Sequence, residues 1–240
     1  MPTVEGDERT YSMSTILFVL TGARHWTLND GTAHPTGYWA EELLAPYRAF
    51  TEAGHRVVFA SPGGVEPVVD RASLAPEVND GKDVEPELTA IIDLKAPLDL
   101  ASIDVAAYDA VFYPGGHGPM EDLAVDADSG RVLTETLDSG KPLAVVCHGP
   151  AALLAARRED GTSPFAGYRL TGFTNAEETQ AGLADKAPWL LQDRLTALGA
   201  EFDEGLAWQP HVVVDRNLYT GQNPASSASL ASAVLTRLAE

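Results

Sequence analysis

Apolar positions fall in short unbroken runs rather than in strict alternation. Residues 15–20 (TILFVL), 56–60 (RVVFA), 110–113 (AVFY) and 142–146 (PLAVV) read as strands buried on both faces. Between them the spacing lengthens to the helical period. Residues 41–53 place Leu43, Tyr47 and Phe50 on one side and stop at Gly54. Residues 131–139, 150–157 and 189–198 also read as helices, with a shorter one over 86–94. Residues 169–171 read as a short strand, and 211–214 and 218–220 as paired strands around Asp215-Arg216-Asn217. A final helix runs over 224–238. Residues 21–37 and 61–106 are rich in turn formers and read as loops.

Strands alternating with helices predict an α/β fold with a mostly parallel sheet covered on both faces. Ligands of such sheets sit at the carboxyl ends of the strands. The chemistry that falls there is concentrated at one turn. Cys147 follows the strand Leu143-Ala144-Val145-Val146 and precedes His148-Gly149-Pro150 and a helix. A strand, a nucleophile and a helix in that order form a nucleophile elbow, which lifts one side chain above the sheet. Pro150 suits a first helical turn, and a helix N-terminus favours a thiolate over a thiol. His148 is the adjacent base, although successive side chains on an elbow splay apart. Gly115-Gly116-His117-Gly118 ends the neighbouring strand, where backbone N–H groups can hold a developing oxyanion and His117 can line the pocket.

Composition narrows the class. The chain has 240 residues, 45% of them hydrophobic, and no linker-like stretch, so one domain over 15–240 is expected after a loose extension over 1–14. It carries 16 basic and 35 acidic residues, a formal net charge of −19, which argues against nucleic-acid and membrane partners. One cysteine permits no internal disulfide, and no signal-peptide pattern opens the chain, so a cytoplasmic location is expected. None of the six histidines stands at helical two-ligand spacing from another, so neither a metal nor an organic cofactor is expected.

The segments GYWAEELLAPYRAFTEAGHRVVFASPGG, YDAVFYPGGHGPMEDL, LAVVCHGPAALL, LTGFTNAEE and LYTGQNPASS, in this order, resemble the ThiJ/PfpI superfamily, which shares its fold with class I glutamine amidotransferases. The resemblance is closest to the branch holding heat-shock chaperones and glyoxalase III proteins. It implies a flavodoxin-like three-layer sandwich, often a homodimer. It also implies a glutamate near the start of the first helix, hydrogen-bonded to the catalytic cysteine. Register against Pro46 and Ala53-Gly54 selects Glu42 over Glu41. It further places an acidic partner of His148 after Thr171-Gly172-Phe173, at Glu178, with Glu177 beside it. The activity implied is glutathione-independent conversion of a small 2-oxoaldehyde such as methylglyoxal to a 2-hydroxy acid. A cysteine-dependent amidase, peptidase or deglycase and a holdase chaperone stand as alternatives.

Overall fold

A computed structural model describes residues 13–240; the extension expected over 1–14 lies outside it apart from Met13 and Ser14. Ser14 is already fixed: its N–H donates to His55 Nδ1 at 3.2 Å and its carbonyl accepts from Arg56 N at 2.9 Å.

The predicted apolar runs become the centre of a seven-stranded sheet. In chain order these strands are β1 (Thr15–Val19), β4 (Arg56–Ser61), β5 (Leu98–Asp99), β6 (Ala110–Tyr113), β7 (Leu143–Val146), β10 (Val212–Asp215) and β11 (Leu218–Gly221). They lie side by side as β10-β11-β7-β6-β1-β4-β5. All neighbours are parallel except the β10–β11 hairpin. Every residue of β6 and β7 is buried, which is why their sequences do not alternate. Phe18 of β1 stacks on Phe112 of β6 with centroids 4.9 Å apart, and Phe50 meets Phe18 edge-on at 5.9 Å. This is the flavodoxin-like mixed α/β architecture expected.

Helix α1 (Ala40–Glu52) carries the chain from β1 to β4, and α4 (Ala127–Ser139) carries it from β6 to β7. The two crossovers leave in opposite directions from adjacent strands. Right-handed connections therefore put α1 and α4 on opposite faces and open a crevice at the carboxyl ends of β1 and β6. Helix α7 (Ser227–Leu238) packs beside α1. The short helices α2 (Glu85–Ala90), α3 (Gly118–Glu121), α5 (Asn175–Gln180) and α6 (Leu191–Ala197) complete the set of α-helices among the described residues.

Three expectations change. The loop over 21–37 contains the hairpin β2 (His25–Thr27) and β3 (Ala33–Pro35), turned by Asn29-Asp30-Gly31. The segment 169–171 shortens to β8 (Arg169–Leu170) and pairs with β9 (Glu201–Phe202) in a separate small sheet. The helix after Cys147 is a 3₁₀ helix over Gly149–Ala155. It is pressed from two sides: a Cβ on Gly149 would lie 2.6 Å from the Tyr113 carbonyl oxygen, and one on Gly130 of α4 would lie 2.4 Å from that of Ala155. Tertiary packing at backbone contact overrides the helical preference of an Ala- and Leu-rich segment.

Candidate active site

Three strand ends converge on the crevice. Cys147 leaves β7 with φ 58°, a left-handed conformation uncommon for a residue with a side chain and typical of strain held at a reactive turn. Its N–H donates to Gly221 O and its carbonyl accepts from Phe173 N, both at 2.9 Å, so the end of β11 and the loop at Phe173 clamp the elbow. The thiol is 3% exposed. Sγ lies 3.3 Å from Nδ1 of His148, and Nε2 of His148 lies 2.7 Å from Oε2 of Glu178. The adjacent side chains meet despite the splay expected of an elbow.

Glu178 and Glu177 open α5, and the structure separates their tasks. Glu177 completes a capping box: Thr174 Oγ1 accepts from Glu177 N, and Glu177 Oε2 accepts from Thr174 N. Its other oxygen accepts from Trp208 N, Gln222 Nε2 and Asn223 Nδ2, tying α5 to two loops. One residue on, about 100° around the helix, Glu178 turns to the histidines. Its Oε2 meets His148, and its Oε1 lies 2.9 Å from Nε2 of His117. The signature Thr174-x-x-Glu177 was present in the sequence and assigns Glu177 to the cap.

His117 therefore stands with Glu178 as well as at the glycine-rich turn. Trp26 of the β2–β3 hairpin stacks on its ring at 5.0 Å and 17°, and the His148 ring centroid is 4.0 Å away. His34 meets it edge-on at 6.2 Å. Phe173 lies against His148 at 4.4 Å, with Trp208 edge-on behind it at 5.5 Å. Ligand atoms of His117, His148 and Glu178 all fall within 4.8 Å of one another. Helical spacing could not reveal this cluster because three separate segments supply it, two turns and helix α5. From the sequence, Trp26, His34 and Trp208 could equally line the pocket or merely pack; the structure stacks Trp26 on His117 as a wall of the site. The Asp30-Gly31 turn between short flanking segments was the available hairpin signal.

Glu42 sits on the other side of the thiol, fully buried near the start of α1. Its Oε2 accepts from Gly115 N at 2.6 Å, while Oε1 has no hydrogen-bond partner among the described residues. Burial raises its pKa to about 8, against the opposing pull of the Cys147 thiol and the Gly115 N–H. At neutral pH the carboxyl is thus protonated, and with Oε2 accepting from Gly115 the proton belongs on Oε1. Glu41 is half-buried beside it and does not take this contact. Gly115 cannot grow a side chain here, because a Cβ would lie 2.8 Å from Glu42 Oε2 and 2.6 Å from His148 N. Gly116 turns with φ 84°, and its N–H faces the sulfur, the position an oxyanion donor needs.

Burial also raises the Cys147 thiol well above its ordinary value, with Glu42 adding to the rise and the Gly116 N–H opposing it. The helix end after the elbow does not offset this, contrary to the lowering expected from sequence. Burial lowers His148 to about 4, with His117 adding to the effect and Glu178 opposing it. Burial works against charge on Glu178 too. Its contact with His148 and hydrogen bonds from both imidazoles outweigh that and hold it well below the ordinary carboxylate range. An ionised Glu178 accepting from Nε2 of His148 leaves Nδ1 as a lone pair facing the thiol. The arrangement at rest is a thiol, a neutral base, an anion behind the base and a neutral acid beside the sulfur.

The chain is 30% identical over 237 aligned residues to the protein/nucleic acid deglycase HchA of Pseudomonas aeruginosa, covering 94% of this chain and 81% of that protein. It is 30% identical over 236 residues to glyoxalase 3 of Candida albicans, covering 93% of this chain and 98% of the relative. The crystal structure of glyoxalase III from Candida albicans superposes with a TM-score of 0.80 at 26% identity over 93% of this chain and 97% of that one. The Rapid Encystment Protein of Francisella tularensis gives 0.83 at 30% identity, covering 94% of this chain and 99% of that one. The pattern of the DJ-1/PfpI family matches residues 35–237, and the chain belongs to that family.

Proposed function

We propose that this protein converts small 2-oxoaldehydes to 2-hydroxy acids without glutathione, through a hemithioacetal on Cys147. The observation that carries the reading is the 3.3 Å approach of Cys147 Sγ to the free Nδ1 of an imidazole that Glu178 holds in place. The thiol proton passes to Nδ1 as Sγ bonds to the aldehyde carbon, so no standing thiolate is needed. The N–H of Gly116 steadies the oxygen, which then takes the proton. His148, neutral again, removes the hydrogen from the same carbon to give an enediolate. Glu42, a neutral acid at the sulfur, supplies a proton to the neighbouring carbon while the hydroxyl proton shifts to the adjacent oxygen, giving a thioester of the 2-hydroxy acid. Water adds to its carbonyl and expels the Cys147 thiolate, which takes the water's proton, and the proton held by His148 returns to Glu42. The near-complete burial of Cys147 favours a substrate of a few heavy atoms.

Deglycation is the second reading, and a specific feature favours it. A cavity of about 470 Å³ borders the site, lined by Trp39, Glu41, Arg48, Lys82, Trp208 and Asn223. Mixed charge and two indole rings suit an aldehyde still attached to an amino acid or nucleobase, and the HchA relatives carry that activity in their name. One experiment separates the two. Lactate is followed from free methylglyoxal and from its preformed adduct with a blocked lysine or cysteine, with wild type and Cys147→Ala. Oxoaldehyde conversion predicts lactate at a rate limited by spontaneous release from the adduct. Release faster than the spontaneous rate supports deglycation, and no lactate from free methylglyoxal removes the first reading.

A further inference from the structure

We infer that His117, His148 and Glu178 form a binding site for a divalent transition metal, best suited to Zn²⁺, and that filling it disables Cys147. Two imidazole nitrogens and a carboxylate, converging from two turns and the first turn of α5, match the two-His-one-Glu donor set that binds zinc with one position left for water. Zinc takes these ligands at about 2.0–2.2 Å. At tetrahedral angles, ligand atoms that far from one ion stand about 3.3–3.6 Å apart, so the pairs His148 Nε2–Glu178 Oε2 at 2.7 Å and His117 Nε2–Glu178 Oε1 at 2.9 Å must open by less than about 1 Å as the ion enters between them. The ligand atoms of the three residues already lie within 4.8 Å of one another. Trp26 stacked on His117 and Phe173 against His148 hold the rings in place. A net charge of −19 raises the local concentration of cations.

The consequence follows from proton positions. The neutral His148 imidazole carries one proton, and its Nε2 now shares it with Glu178. Ligation through Nε2 moves that proton to Nδ1 of the same ring, with no change in charge. His148 Nδ1 then points an N–H at Cys147 Sγ and can no longer accept the thiol proton. The sulfur lies against the opposite nitrogen of the ring, so it is not a ligand of the same ion. The site is thus a switch on the nucleophile, independent of which substrate Cys147 attacks.

The test uses the full chain, freed of metal, with Zn²⁺ or Co²⁺ alone. One ion per chain is expected, and Co²⁺ should show visible d–d bands without a thiolate-to-cobalt charge-transfer band. X-ray absorption of zinc-loaded wild type should show nitrogen and oxygen neighbours only, with imidazole scattering. Cys147→Ala should bind within about threefold of wild type. Glu178→Gln and His117→Ala should each weaken binding by about 100-fold. Zn²⁺ should slow alkylation of Cys147, the chain's single cysteine, by at least about tenfold. Absence of stoichiometric binding would overturn the inference, as would sulfur in the metal shell or unaltered alkylation. Undiminished binding in both ligand variants would place the metal elsewhere, at pairs such as His25–Glu121 or His211–Asp203, and would equally overturn it. The absorption and alkylation arms use wild type, so they hold even if a variant fails to fold.

Discussion

Two buried glutamates flank the Cys147–His148 pair, one from each side of the crevice, and they are held in opposite charge states. Glu42, near the start of α1, receives one backbone N–H and keeps its proton up to about pH 8. Glu178, in the first turn of α5, receives two imidazoles, one on each oxygen, and stays ionised. Both lie in the first turn of a helix, where the dipole favours an anion. The difference therefore comes from donors and burial, and it divides the work of the site: one carboxyl supplies a proton while the other secures a base.

The comparison breaks most completely if the pair between the two glutamates is removed. Cys147→Ala should lower turnover of the true substrate by at least about 10³-fold while leaving both carboxyls in place. Steady-state rates, with circular dichroism to show an intact fold, check this. Retention of more than a tenth of the activity would mean that the elbow is not where the chemistry occurs. Next is the anionic side. Glu178→Gln presents an amide that cannot accept from both imidazoles, so one ring loses its orientation and His148 its tautomer. The expected loss is on the order of 10³-fold in kcat, measured at a temperature where circular dichroism shows the variant folded.

The neutral side gives a smaller effect with a distinctive pH signature. The acid must be protonated and His148 neutral, so kcat/KM should be bell-shaped with limbs near 4 and 8. Glu42→Gln cannot titrate and should remove the fall near 8, while lowering the plateau by about tenfold. Stability gives an independent readout. The folded pKa of Glu42 is raised above its unfolded value, so it binds its proton more tightly when folded. Its contribution is fully favourable below the unfolded value and is lost as pH climbs from about 4.5 through about 8. Glu42→Gln should therefore gain stability over wild type by a few kcal/mol at pH 9 and gain little at pH 4. Unfolding midpoints that shift equally at both pH values would show that Glu42 is not held neutral.

These roles were unevenly legible in the sequence. Residues 110–113 and the elbow at Cys147 could be read because local rules control them: an unbroken apolar run is a buried strand, and a nucleophile between strand and helix sits at a turn. Glu42 and Glu178 could be placed only through resemblance to a family, since a first-turn glutamate is ordinarily a solvated partner of the helix dipole. His117 reached its place beside Glu178 through a contact spanning 61 residues, which no local pattern carries. The 3₁₀ path of Gly149–Ala155 is likewise set by backbones pressing from Tyr113 and α4. The Glu177 cap was legible, because Thr174-Asn175-Ala176-Glu177 is a capping box in its own right.

That neighbour supplies the smallest expected effect on activity and sharpens the comparison most. Glu177 is as buried as Glu178 and one residue away, yet none of its contacts reaches Cys147, His148 or His117. Its oxygens accept from Thr174, Trp208, Gln222 and Asn223, so its task is to hold α5 against the loops around Trp208 and Asn223. A glutamine keeps one oxygen and turns an NH₂ toward a donor that formerly met an acceptor. Leaving one or two buried donors unmet costs about 1–3 kcal/mol. Glu177→Gln should therefore lower the unfolding midpoint while turnover at saturating substrate stays within about threefold of wild type. Glu178→Gln should lose turnover far beyond any fall in its midpoint, because the lost anion is what orients His148. If the two variants lose activity equally, then α5 acts on the base through its overall position, and the charge of Glu178 is not what prepares His148.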